Sequence, residues 1–277
     1  MPASPRLLGV DFSSAPRAAK PIVAAWGRRA GPVVRLEALQ RLPTLDAFSE
    51  LLATPGPWVG GFDMPFGLPR ELVEQLGWPG EWAPLMRHYG AMSREEIRAA
   101  FAAFCAARPA GSKFAHRVCD GPAGSSPSMK WVNPPVAFML HAGVPRLLQA
   151  GVHLPSVHAG DEDRVALESY PGLLARELIG SRSYKADDKA RQTPERLIAR
   201  KDMVDALEQG RTRLALRLRL THAQRDALVA DATGDALDAV LCLMQAGWAS
   251  EQPGFGLPAG LDPLEGWIVS ALRPEPA

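Results

Sequence analysis

Cysteine is scarce in this 277-residue sequence, with Cys105, Cys119 and Cys242 odd in number and far apart. Such a set builds neither a disulfide framework nor a zinc pattern, and it points to a reducing compartment. No apolar run approaches the ~20 residues of a membrane span. The N-terminal Met-Pro-Ala-Ser-Pro-Arg is followed by only four apolar residues before Asp11, too few for a signal-peptide core. A cytoplasmic protein without a membrane partner is expected. An excess of one charge is also missing: 31 Lys plus Arg against 30 Asp plus Glu leave +1. That balance gives no global electrostatic case for nucleic acid, so such a partner must rest on a local patch. The Gly-x-Ser-x-Gly elbow, the P-loop and the Gly-x-Gly-x-x-Gly fingerprint are absent. His141, His153 and His158 have no recognised metal spacing, and no internal repeat is found.

Hydrophobic residues at 47% and charged residues at 22% describe a globular chain with enough length for a sizeable core. Leu7 to Phe12 reads as a buried strand ending in the carboxylate of Asp11. Pro21 to Trp26 and Val33 to Leu39 follow at hairpin spacing, with turns at Gly27 and Gly31-Pro32. Pro43-Thr44 opens a helix to about Ala53, and a fourth strand, Trp58 to Phe62, delivers Asp63. Val165 to Tyr170 is a fifth short strand carrying Glu168. A three-strand meander followed by strand–helix alternation predicts a mixed five-stranded sheet in the order 3-2-1-4-5, strand 2 antiparallel to the rest, with helices on both faces.

We expect a single domain over 1–277. From about 69 to 161 the text changes character, with helical pieces at Pro69–Leu76 and at Arg94–Ala107 behind the capping box Ser93-x-x-Glu96. Pro, Gly and Ser clusters surround them, and the stretch reads as an inserted lid or subdomain. Beyond it, Thr193-Pro194 opens a helix to Gly210. Thr221-x-x-Gln224 is a second capping box, and a last helix runs from about Asp235 to Trp248. Between them Arg211 to Leu220 alternates arginine and leucine, which favours an extended segment with one basic face.

Asp235 and Asp238 stand three apart and share one face of the last helix, beside the apolar stripe Leu237, Val240, Leu241, Met244 and Trp248. Alone, such a pair is as readily a solvent-facing first turn that suits the helix dipole. Asp11, Asp63 and Glu168 change that balance, because carboxylates at strand ends of an α/β protein face the crevice where such folds place ligands. Four or five clustered carboxylates repel one another, and their natural occupant is a hard cation, Mg²⁺ or Mn²⁺. Two such ions ~3.5–4 Å apart could stabilise the attacking and leaving oxygens of a phosphodiester.

Gly9-Val10-Asp11-Phe12-Ser13, Gly61-Phe62-Asp63-Met64-Pro65-Phe66-Gly67, Glu168-Ser169-Tyr170-Pro171-Gly172 and Asp235-Ala236-Leu237-Asp238-Ala239 occur in that order. Together they resemble the family called domain of unknown function four-twenty-nine, described as predicted RNase H-like nucleases. The last motif is also similar to the C-terminal helix of RuvC-type Holliday-junction resolvases. The resemblance implies an RNase H-like fold in which Asp11 bridges two metal ions. Asp63 and Glu168 would come from neighbouring strands, and Asp235 with Asp238 would complete the shell. Lys185, in Ser183-Tyr184-Lys185, would orient a phosphate or balance the carboxylates, against the plain alternative of an exposed loop lysine. Lys113, His116, Arg117, Lys130 and Trp131 form either a solvated loop face or a surface for a phosphate backbone and a stacked base. Asp231 precedes the Thr233-Gly234 break and is left out of the site.

A metal-dependent phosphodiesterase, a nuclease acting on nucleic acid or another phosphodiester, is the leading expectation. An ATP-dependent phosphotransferase of the same fold superfamily is the alternative, although Asp11-Phe12-Ser13-Ser14-Ala15 lacks its glycine-rich loop. A non-catalytic binding protein retaining the fold is the third.

Overall fold

One mixed sheet organises the computed structural model, which describes residues 4–272. Strands β1 (Arg6–Asp11), β2 (Ile22–Ala30) and β3 (Val33–Leu42) form an antiparallel meander. Strand β4 (Trp58–Asp63) then lies parallel to β1 on its other side, with Asp11 beside Asp63. The sheet is completed by β5 (Val152–His153), β6 (Asp161–Glu168) parallel to β4, and β7 (Arg217–Arg219) parallel to β3. Its order is β5-β6-β4-β1-β2-β3-β7. The α/β class stands, but the expected five-strand sheet and its order are corrected to these seven strands. The additions are two and three residues long, too short to carry a readable alternation. Within the Arg/Leu stretch only Arg217–Arg219 is strand, with Leu218 buried between two exposed arginines.

Strand alternation sends Leu8, Val10 and Phe62 to one face and Leu7, Val59 and Leu167 to the other. The first face is covered by α1 (Leu45–Leu52), α2 (Arg70–Gln75), α3 (Trp82–Ala91), α4 (Arg94–Ala106) and α6 (Val136–Ala150), which bury Phe48, Leu72, Tyr89, Phe101 and Leu140. A short α5 (Asp120–Ala123) lies between α4 and α6. The second face is covered by α7 (Pro171–Ile179), α8 (Pro194–Glu208), α9 (His222–Ala230) and α10 (Asp235–Ala249).

The stretch 69–161, expected as an inserted lid or subdomain, carries α2 to α6. Its helices share one apolar core with β1 and β4 and supply most of a layer. Helix starts follow local chemistry: Ser93 and Glu96 close a reciprocal capping box, as do Thr221 and Gln224, and Thr44 accepts from Ala47 N–H at 3.0 Å. No helix among the described residues is long and apolar enough to cross a membrane.

Candidate functional site

Two glycines decide where the last helix sits. A Cβ on Gly9 would stand 2.1 Å from the Ala239 carbonyl oxygen and 2.2 Å from the Leu243 nitrogen. A Cβ on Gly61 would stand 2.6 Å from the Cys242 carbonyl oxygen. Without those side chains, the main chain of α10 rests directly on β1 and β4. At its start Gly234 adopts φ 77°, a left-handed conformation that glycine takes without strain. Asp231 is a cap rather than a site residue, accepting from Ala236 N–H at 2.9 Å.

Asp11 and Asp63 follow those glycines by two residues on their strands, so both turn toward α10 and lie side by side. Among the described residues neither carboxylate receives a hydrogen bond or an ion pair. Burial, then the charges of Asp238 and Asp63, hold the Asp11 carboxyl well above the usual range. Burial and Asp238 push Asp63 up to about 7, against the partial relief of Lys185. Asp235 is also raised, by burial and then by Asp231.

Asp238 is 0% exposed and is the one carboxylate of this group with its charge answered. It accepts from the Tyr184 hydroxyl at 2.5 Å and from the Lys185 ammonium. Burial works against the Lys185 charge, but Asp238, Tyr184 and Asp11 outweigh it and hold the ammonium well above the usual lysine range. The loop bearing this pair is pinned from α8, where Arg200 donates to the Tyr184 carbonyl at 2.7 Å and Arg196 donates to that of Lys185.

Glu168 does not join them. It pairs with Phe62 rather than Asp63, so strand alternation turns its side chain to the opposite face. There it accepts from Phe66 N–H at 2.8 Å and from both terminal nitrogens of Arg117, at 2.7 and 2.8 Å. Its expected part in the carboxylate cluster is therefore corrected: it is one half of a buried bidentate ion pair. Arg117 is corrected with it. At 3% exposed it is no solvated phosphate contact, because it also grips Asp120 at 3.0 Å and donates to the Glu265 carbonyl at 3.0 Å.

The fold thus assembles Asp11, Asp63 and Asp238 with Lys185, places Asp235 one turn before Asp238, and ties Glu168 to Arg117. Sequence reasoning missed Tyr184, whose signal was its place beside Lys185, and the role of Gly9 and Gly61. It also missed a cavity of about 320 Å³ that borders Asp63 and Lys185.

The donor set suits a hard cation: carboxylate oxygens, desolvated, two of them without any donor. No three His, Cys, Asp or Glu side chains among the described residues are already spaced as ligands of one ion. The positive charge in contact with Asp238 is the Lys185 ammonium. Chemically, the cleft offers a carboxyl pushed up to about 7 beside a second carboxyl without a hydrogen-bond donor among the described residues. Comparison with known protein families, curated proteins and solved structures finds no match.

Proposed function

We propose that this chain is an RNase H-like phosphodiesterase that works with Mg²⁺ or Mn²⁺ in the cleft at the ends of β1 and β4. The observation that carries the reading is the pair Asp11 and Asp63, half-buried, adjacent and without a hydrogen-bond donor among the described residues. Two such neighbouring charges repel, so the pair binds protons or a cation. The cleft lies between β4 and β1, whose chain connections leave in opposite directions, the place where open α/β sheets bind ligands.

Asp11, Asp63 and Asp238 would hold the cation, with Asp235 at the rim. A bound cation would polarise the phosphoryl oxygen and offset the charge that develops there. Asp63, pushed up to about 7 without a cation, would give up its proton as the cation binds. Lys185, with 44% of its side chain exposed, meets a phosphate oxygen while Asp238 and Tyr184 hold it in place.

The test is hydrolysis of bis(p-nitrophenyl) phosphate by wild type, Asp11→Asn and Asp63→Asn, with Mg²⁺, Mn²⁺ or chelator. Cation-dependent hydrolysis by wild type is expected, reduced in both variants by about a hundredfold or more. Equal rates in all three proteins, or no cleavage of any diester by wild type, would overturn the reading.

A further inference from the structure

The cavity beside the carboxylates has walls of two kinds. Charged Asp63 and Lys185 border it, and so do the apolar Met64, Val136 and Met139. At about 320 Å³ it falls at the small end of the range for small-molecule pockets, roughly 300–1,000 Å³. That is room for one nucleoside with its phosphate, and too little for a base pair.

Resting on the phosphodiesterase reading, we infer that this cavity takes one unpaired nucleoside unit of the substrate. The site then acts on a nucleotide ester or a frayed single-stranded end, and not on paired duplex. Phosphate belongs at Lys185, whose side chain is 44% exposed while its ammonium holds Asp238. Arg117 also lines the cavity, but its guanidinium is committed to Glu168 and Asp120. The flat base belongs against Met64, Val136 and Met139, since thioethers are polarisable and pack well on aromatic rings.

Charge points the same way. Duplex binding draws its affinity from many phosphate contacts, and the partly exposed cation bordering this cavity is Lys185, itself shared with Asp238. A base inside a duplex would also have to be unstacked and extruded before it could enter. The Arg117–Glu168 pair is buried at the same cavity, so this part of the wall is formed before any ligand arrives.

Calorimetric titration tests the pocket without relying on turnover. Thymidine 5′-monophosphate, deoxyribose 5-phosphate and inorganic phosphate are titrated into the full chain in Mg²⁺ buffer. The nucleotide is expected to bind at least about tenfold more tightly than either smaller phosphate, the contribution of one stacked base. Met139→Trp fills the cavity and should abolish that advantage. Val136→Trp narrows the same cavity should the first variant fold poorly, and should abolish the advantage likewise. In parallel, a single-stranded oligonucleotide and a blunt hairpin of the same composition are offered as substrates, and the single strand is expected to be cut first.

A nucleotide that binds no better than inorganic phosphate overturns the inference, whatever the diesterase assay shows. So does a hairpin cut as fast as the single strand. Selective nucleotide binding without cleavage of any diester upholds the pocket and overturns the phosphodiesterase reading instead.

Discussion

Neutralising Asp63 is expected to stabilise the protein, and increasingly so as pH rises. Its carboxyl is pushed up to about 7 in the fold against 3.8 for a free aspartate, because burial and Asp238 disfavour the charge. The folded state therefore holds more protons than the unfolded state between about pH 4 and 7, and stability falls as pH rises through that window. The full shift of about three units corresponds to about 4 kcal/mol at 1.36 kcal/mol per unit. Asp11 competes for the same proton, so the working range for Asp63→Asn is about 2–4 kcal/mol at pH 8. At pH 5 wild type carries the proton, Asn is nearly isosteric with the neutral acid, and the difference should approach zero.

The assay is thermal melting of both proteins from pH 5 to 8, where each kcal/mol moves Tm by about 2–4 °C for a chain of this size. Other titrating groups contribute similarly to both proteins, so the difference isolates Asp63. With Mn²⁺ at ten times its dissociation constant, wild type should recover about 1.4 kcal/mol and the variant less. A difference that is the same at pH 5 and pH 8, or a variant less stable than wild type at pH 8, refutes the reasoning.

Gly9→Ala should cost about 3 kcal/mol or more in urea unfolding, since its methyl meets the main chain of α10 rather than a side chain that can move; a loss below about 0.5 kcal/mol would mean the helix is not seated there. Arg117→Met should destabilise by about 3–5 kcal/mol by stranding Glu168 and Asp120, and Arg117→Met with Glu168→Gln should regain part of that loss. No recovery in the double variant, measured by the same denaturation, would remove Glu168 as the principal partner.

The parts of the site legible in the sequence were those whose signal is local. Asp11 and Asp63 each close an apolar strand, and Asp235 with Asp238 share a helix face by spacing alone. Capping boxes at Ser93 and Thr221 are written in four residues each and appear in the structure. Glu168 was misplaced because its facing depends on inter-strand register. Pairing with Phe62 instead of Asp63 turns it away from α10, and nothing in Val165-Ala166-Leu167-Glu168 records which partner it takes. Arg117 lies 51 residues from Glu168, a separation at which single-sequence reasoning sees only a basic loop. Helix α6 was hidden by Pro145 within it and by the Pro-rich approach before it. Helix α3 carried a readable stripe, Trp82, Leu85, Met86 and Tyr89, that the neighbouring Gly and Pro clusters obscured.

The Arg117 cross-link also bears on the order in which the molecule is built at the ribosome. Its guanidinium reaches Glu168 and the carbonyl of Glu265, 51 and 148 residues further along. Glu265 in turn accepts from the main chain at Arg70 and Val118. On the other face, Gly9 waits for Ala239 and Leu243. Strand β1 thus waits for α10, which emerges long after it. Until then its apolar faces are open, and contacts this distant in sequence form slowly. The carboxylate cleft is therefore among the last regions to be completed, so a chain truncated before α10 would hold Asp11 and Asp63 on strands without the helix that gathers them.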